Sequence, residues 1–183
     1  MKSFPVDFAR NQSAKQFLEN KKYESIEWIG WLDIDQTFPP QMFNILLDEA
    51  EKTGVKVLSA TYFKRNDAKE VVGWKINYNN QIVEPVIDGT VQEVNVIGMG
   101  CCIIHRSVLE KIGYPWFKYG PLHEEVESIT TEDIQFCDRC KEEGIKIYMH
   151  TGVISGHIMT MENTKNRLVA VDLNDSEIEG EVK

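Results

Sequence analysis

The spacing of hydrophobic positions changes several times along the chain and predicts alternating helices and strands. Apolar residues at helical intervals indicate four helices. These helices are expected after Arg10, from Pro39-Pro40 to about residue 52, over residues 107–112 and from Thr130 to Gly144. An apolar run with almost no alternation, typical of a strand covered on both faces, occupies residues 26–34. Further strands are expected over residues 55–62 and 145–149. The early strand, helix, strand order implies a right-handed crossover and an α/β layer.

The middle of the chain has a different pattern. Alternating residues over 71–78 and 81–86, joined by Asn79-Asn80, predict an antiparallel hairpin. Strand-like residues follow over 91–105, interrupted by glycines. The long polar loop at 114–129 contains large aromatic residues, which indicates that this loop covers something.

The composition is that of an ordinary globular protein, with 183 residues of which 42% are hydrophobic and 27% charged. That length suits one domain, which we place at residues 1–160. Residues 161–183 form an acidic extension that we expect to be mobile at its end.

The charge balance and the lack of export signals limit the partners that we expect. A formal charge of −9 makes nucleic acid an improbable partner, because the field of the protein repels phosphate backbones. No apolar stretch approaches the ~20 residues of a membrane span, and the N-terminus has no hydrophobic signal region. Four cysteines are too few for a disulfide framework and indicate a reducing compartment. We therefore expect a cytoplasmic protein without a membrane span.

The strongest candidate for chemistry is the acid pair Asp33-Ile34-Asp35, which follows an apolar strand directly. Residues at i and i+2 of a strand share a face, so both carboxylates can converge on one cation beyond the strand's carboxyl end. Hard oxygen ligands suit Mn²⁺ or Mg²⁺ with open positions for substrate phosphates. The alternative is that these acids merely end a strand at the surface.

Three further features could carry chemistry, and each has a structural alternative. Glu132-Asp133 opens a helix, where capping explains acids well, but Asp133 could instead act as a general base on an attacking hydroxyl. His157 follows a glycine after the last predicted strand and offers a ligand for Mn²⁺, although a single histidine is often structural. The spacing Cys137-Asp-Arg-Cys140 could indicate zinc or redox chemistry, but its predicted position inside a helix favours buried packing.

Several motifs in one order along the chain resemble the glycosyltransferases of the GT-A fold, particularly family 2 and the small related enzymes of phages. They are Ala9-Arg10-Asn11, Asp33-Ile34-Asp35, the glycine-containing segment 96–104, Pro115-Trp116-Phe117, Thr131-Glu132-Asp133-Ile134 with Phe136-Cys137, and Gly156-His157. The resemblance covers about residues 8–158. It implies a Rossmann-like mixed sheet flanked by helices.

The resemblance also implies roles for individual residues. Asp35 would bind the metal directly, Asp33 would contact the ribose or the metal through water, and His157 would complete the metal site. Asp133 would be the general base of an inverting reaction, with Glu132 beside it. The nucleotide-sugar site would further include Arg10, Asn11, Gly98 and Gly100, and Trp116 would lie on the acceptor side.

The predicted function is therefore metal-dependent transfer of a sugar from a nucleotide-diphosphate donor, with UDP as the expected nucleotide, to a hydroxyl acceptor. The family's strand, helix, strand unit before the acid pair is missing, so the fold is expected to be N-terminally truncated. A second subunit or a complementing chain could cover that sheet edge. Two alternatives stay open: a non-catalytic GT-A-like module that binds nucleotide, metal or a partner, and a nucleotidyltransferase.

Overall fold

The computed structural model describes residues 5–64, 70–77, 79–121, 129–162 and 168–172, which form helices and short strands. The helices are α1 (Val6–Glu19), α2 (Met42–Thr53), α3 (Arg106–Ile112) and α4 (Glu132–Glu142), with a 3-10 turn at Lys21–Tyr23. The strands are β1 (Trp28–Leu32), β2 (Gln36–Thr37), β3 (Val57–Thr61), β4 (Gly73–Ile76), β5 (Ile82–Val83), β6 (Val91–Val94), β7 (Val96–Ile97), β8 (Cys101–His105), β9 (Gly120–Pro121), β10 (Ile129–Thr130), β11 (Ile147–Ile154), β12 (Gly156–Glu162) and β13 (Leu168–Asp172).

The central sheet has the strand order β1-β8-β3-β11-β6. Strand β8 runs antiparallel to both of its neighbours, so β1 and β3 point the same way with β8 between them. Strands β3 and β11 are parallel, whereas β6 is antiparallel to β11. The protein is therefore mixed α/β, and α2 connects two strands of equal direction as the early strand, helix, strand pattern predicts.

Helices cover both faces of this sheet, and the side chains of β8 show how. Side chains alternate along a strand. Cys101 and Ile103 accordingly belong to the core under α2. Cys102 and Ile104 belong to the opposite core, which α1, α3 and α4 cover. A continuous apolar run is what such a doubly covered strand requires.

The predicted helix ends agree with the structure at two glycines. Gly54 follows α2 with a φ of 74°, and Gly113 follows α3 with a φ of 67°. Their N–H groups donate to Ala50 and Leu109, at 2.8 and 3.0 Å, which closes each helix. The start of α1 was predicted too late, because this helix begins at Val6 and contains Arg10.

Strand β1 differs from its predicted environment. The sequence predicts burial on both faces, but Gly30 is exposed and Leu32 is 41% exposed. The physical reason is topology, because β1 is the edge strand of the five-stranded sheet. A short apolar run does not distinguish an edge strand from a central one.

Smaller sheets complete the described chain. The predicted hairpin is present but short, with β4 and β5 paired antiparallel. Strand β12 pairs with both β2 and β13, so the domain boundary predicted at residue 160 falls inside a strand. The tail predicted to be mobile, residues 173–183, lies outside the described residues, as do residues 122–128 of the polar loop. No helix of the described chain is long and apolar enough to cross a membrane.

Candidate functional site

A buried arginine connects the start of the chain to two acids distant in sequence. Helix α1 carries Arg10, whose Nη2 lies 3.2 Å from Asp33 Oδ1 and whose Nη1 donates to Glu132 Oε1. Arg10 and Glu132 are 8% and 5% exposed, whereas the Asp33 side chain is 45% exposed. The structure therefore brings Arg10, Asp33 and Glu132 together at the end of β1.

The acid pair lies in a turn rather than on a strand. Strand β1 ends at Leu32, Asp33 N donates to Gly100 O at 2.9 Å, and Gln36 N donates back to Asp33 O at 3.3 Å. The expectation that Asp33 and Asp35 share one strand face is therefore wrong. The partner of the Asp33 amide, Gly100, is the residue before β8 begins, so the pairing of β1 with β8 ends here. Asp33 Oδ2 then faces Gly100.

His157 lies close to this turn because β12 pairs with β2. The register places His157 opposite Gln36, and Ile158 N donates to Asp35 O at 2.8 Å. The His157 ring makes two polar contacts, with Nδ1 2.5 Å from Phe63 O and Nε2 3.4 Å from Gln36 Nε2. The structure therefore brings His157 beside the acidic turn.

Three residues of this neighbourhood were missed by the sequence reading: Gln36, Tyr62 and Ser155. Gln36 Oε1 accepts from Ser155 Oγ at 2.9 Å, and both side chains are buried. Tyr62 packs edge-on against His157, with ring centroids 5.4 Å apart, and its hydroxyl accepts from Gly100 N at 3.1 Å. Gln36 follows the acid pair directly, and Ser155 directly precedes the Gly156-His157 motif, so their positions beside predicted site residues could have identified them. Tyr62 has no such signal in the sequence.

Asp133 lies in the first turn of α4, next to Glu132. Its Oδ1 accepts from the Thr131 hydroxyl and, at 2.8 Å, from Ile134 N. Burial raises the pKa of the Tyr62 phenol well above its usual range, and the charges of Asp133 and Asp33 raise this pKa further. The N-terminus of a helix also favours negative charge electrostatically.

Asn11 and Trp116 both make their polar contacts inside the protein. The Asn11 amide is occupied by backbone: Oδ1 accepts from Trp116 N at 2.9 Å and Phe117 N at 3.1 Å, and Nδ2 donates to Phe117 O at 2.5 Å. Trp116 is 5% exposed, and its indole donates to Leu109 O at 2.8 Å. Asn11 therefore fixes this loop to α1, and Trp116 belongs to the core rather than to an acceptor surface.

The two glycines of the 96–104 segment also have a different use from the expected one. A Cβ at Gly98 would stand 1.9 Å from the Tyr62 hydroxyl oxygen, and one at Gly100 would stand 2.2 Å from Gln36 Nε2. Protein side chains, not open space, occupy both positions. Glycine is required here because Tyr62 and Gln36 pack directly against the backbone.

The described residues contain no group of three His, Cys, Asp or Glu side chains arranged to hold a metal ion. Asp33, Asp35 and His157 are neighbours through the turn and the β2–β12 pairing, but they do not converge as a closed ligand set. Carboxylate oxygens and an imidazole nitrogen are groups that Mn²⁺ accepts as ligands, and such an ion commonly keeps positions open for substrate phosphates.

The four cysteines are buried and free, and they lie in the two cores. Burial raises the pKa of Cys101 and of Cys140 to about 12. It also raises the pKa values of Cys102 and Cys137 well above their usual range. These thiols are therefore packing residues, and Cys137 and Cys140 lie inside α4 as predicted.

Comparisons with known proteins leave the family open and support the mixed α/β fold. No family model matches the sequence, and no curated protein matches it. Among solved structures, the chain is similar to the crystal structure of A197 from STIV, with a TM-score of 0.61 and 19% identity. The match covers 100% of this chain and 82% of that chain. At this identity the likeness concerns the fold alone.

Proposed function

We propose that this protein is a metal-dependent glycosyltransferase of GT-A type that takes a nucleotide-diphosphate sugar, with UDP as the nucleotide, and transfers the sugar to a hydroxyl. One observation carries the proposal. Arg10 donates hydrogen bonds to Asp33 at the end of β1 and to Glu132 at the start of α4. Gln36, which follows the acidic turn, contacts His157. This proximity of residues that are far apart in sequence supports the proposal.

The charge of this neighbourhood supports a requirement for a divalent cation. Arg10 is paired with two carboxylates, those of Asp33 and Glu132. Asp35 and Asp133, each close in sequence to one of these acids, add two more negative charges to the neighbourhood. A nucleoside diphosphate would be repelled by such a site without added positive charge. Asp33, Asp35 and His157 would hold Mn²⁺ or Mg²⁺, which when bound would offset the charge of the departing diphosphate.

The chain's own residues have separable tasks in this proposal. Asp133 accepts the proton of the acceptor hydroxyl, and the reaction inverts because this carboxylate acts as a base rather than as a nucleophile. Arg10 orients the carboxylates of Glu132 and Asp33. Asn11, Gly98 and Gly100 act indirectly, by fixing the loop and the turn against which the site is built. The free cysteines suit a reducing compartment, and we place the activity in the cytoplasm.

Calorimetric titration of Mn²⁺ followed by UDP tests this proposal. UDP is expected to bind only with Mn²⁺, and Asp35→Ala or His157→Ala should abolish this Mn²⁺-dependent binding. Asp48→Ala, at an exposed position of α2, is the matched control and should bind as the parent does. UDP binding that ignores Mn²⁺, or that survives both site substitutions unchanged, contradicts the metal assignment.

Catalysis is tested by the release of UDP from UDP-sugars with hydroxyl acceptors. Asp133→Asn should slow release by roughly 100-fold, a typical contribution of a general base, and should leave UDP binding intact. Release of pyrophosphate instead of UDP would identify a nucleotidyltransferase. Undiminished release from the Asp133→Asn variant would show that another group removes the proton.

One observation favours a second function, a non-catalytic nucleotide-binding or partner-binding module. Asp133 Oδ1 already accepts two hydrogen bonds within its own helical turn, from Thr131 and Ile134, as a capping residue does. Such a module would bind Mn²⁺ and UDP as above but would release no UDP from any UDP-sugar.

A further inference from the structure

The Gln36 side chain occupies the space between two of the proposed cation ligands. Its Nε2 packs against Gly100, where a Cβ would stand 2.2 Å away, and Asp33 Oδ2 lies 3.1 Å from the same Cβ position. On its other side the same nitrogen lies 3.4 Å from His157 Nε2. A buried neutral amide therefore separates the Asp33 carboxylate from the His157 ring.

The hydrogen bonds around His157 define which ring nitrogen carries the proton. Phe63 O, 2.5 Å from Nδ1, is a carbonyl oxygen and can only accept, so Nδ1 carries the hydrogen. In the neutral ring Nε2 is then an acceptor. A backbone carbonyl that holds Nδ1–H is the arrangement that presents Nε2 to a metal ion in many proteins.

The orientation of the Gln36 amide follows from its other partner. The Ser155 hydroxyl hydrogen is shared between Gln36 Oε1, 2.9 Å from Oγ, and Thr37 O, 2.8 Å from Oγ. Because Oε1 is the acceptor in this contact, the Nε2 end of the amide faces His157. The Gln36 amide N–H therefore points at the lone pair of His157 Nε2. Ser155, fully buried, thus holds the amide in the orientation that covers this lone pair.

We propose that Gln36 is a positioning residue that covers His157 Nε2 until a divalent cation displaces its amide. This inference rests on the proposed function for the identity of the ligand, a divalent cation. The cation must replace one hydrogen bond to reach Nε2, so the amide weakens cation binding and keeps His157 in the Nδ1–H form. Once displaced, Gln36 no longer separates Asp33 from His157, and both can contact the same ion.

The test compares Mn²⁺ affinities by calorimetry in the full chain. Gln36→Met keeps the side-chain length against Gly100 but removes the amide, and it should tighten Mn²⁺ binding by about fivefold, the equivalent of one ordinary hydrogen bond. Ser155→Ala releases the amide from its orienting partner and should tighten binding in the same direction. In the Gln36→Met background Ser155→Ala should add nothing. Gln16→Met, at an exposed position of α1, is the control.

Unchanged or weaker Mn²⁺ binding in both Gln36→Met and Ser155→Ala overturns the inference, as does absence of Mn²⁺ binding in every variant. A second readout needs no metal. Nitrogen-15 spectra of the imidazoles, with His157→Gln to assign the signal, should show Nδ1–H and an unprotonated Nε2 in the parent. A His157 ring that carries its proton on Nε2 in the parent protein would also overturn the inference.

The outcomes separate this inference from the proposed function. If Gln36→Met binds Mn²⁺ more tightly but UDP binding ignores His157→Ala, Gln36 covers a cation site and the glycosyltransferase proposal fails. If UDP binding needs Mn²⁺ and His157 but Gln36→Met changes nothing, the proposed function stands and Gln36 is only a packing residue.

Discussion

Arg10 has two roles that can be separated experimentally, one in stability and one in the candidate site. Its guanidinium is the charged partner of Glu132, and both side chains are buried. Removing one member of a buried pair leaves a desolvated charge, which is usually more costly than losing the pair as a whole. Asp33 is different, since its half-exposed carboxylate keeps contact with water.

We therefore expect Arg10→Met to lower the free energy of unfolding by about 3 kcal/mol, because Glu132 is left buried and unpaired. The double variant Arg10→Met with Glu132→Gln should recover most of that loss. Urea unfolding measures both values, and Lys15→Met on the exposed side of α1 is the control. A double variant as unstable as Arg10→Met would show that packing of the arginine, not its charge, is what matters.

Among the elements, α3 has an unusual start, because a histidine caps it. His105 is the N-cap, and its Nδ1 accepts from Ser107 N at 3.2 Å. Only the neutral ring can accept there. Burial lowers the pKa of His105 from the usual 6.5, and the neighbouring Lys56 charge lowers it further. The folded protein therefore binds a proton at this ring less readily than the unfolded chain does.

This cap predicts a loss of stability in mild acid. The unfolded chain gains a proton at about pH 6.5, whereas the folded ring stays neutral to lower pH. The contribution of the neutral His105 cap to the free energy of unfolding is therefore complete above that pH. It is lost as the pH falls through the lowered pKa of the folded state. His105→Asn retains a capping side chain that does not titrate, so its free energy of unfolding should fall less between pH 7.5 and 5.

The comparison is best made in a His150→Asn background, because burial also lowers the pKa of His150. Urea unfolding at several pH values gives the slope of the free energy of unfolding against pH for each variant. Equal slopes with histidine and with asparagine at position 105 would exclude the cap as their origin. His105→Ala, which removes the cap altogether, should cost about 1 kcal/mol at neutral pH.

At the scale of the whole molecule, two cores share the strands of one sheet. Leu46 of α2 is fully buried in one core, and Phe136 of α4 is fully buried in the other. Strand β8 supplies alternate side chains to both. Because each core depends on the same strands, we expect the two layers to unfold together.

Leu46→Ala tests this coupling by making a cavity on one side only. It should lower the free energy of unfolding by about 3 kcal/mol. Hydrogen exchange should then show the same loss of protection in α4 as in α2, whereas Ile45→Ala, at a position 41% exposed on α2, should change little. Loss confined to α2 would mean that the layers open separately.

Local signals in the sequence predict much of this architecture but not the contacts that build the site. Gly54 and Gly113 end helices as predicted, because that signal is local. The bond from Asn11 to Phe117 spans 106 positions and has no local signature. The same holds for the Tyr62 hydroxyl against Gly98. The acid pair and His157 could be picked out by residue type. That the Gln36 side chain contacts His157 is evident only once β12 lies beside β2.

The burial of the four thiols has a practical consequence for experiments on this protein. None of the native cysteines presents a reactive thiolate to solvent in the folded state, because each is buried and has a raised pKa. A single cysteine introduced at an exposed position would then be the one group that a maleimide label modifies. Spectroscopic probes could be attached on either side of the acidic turn without first rebuilding the cores around substituted cysteines.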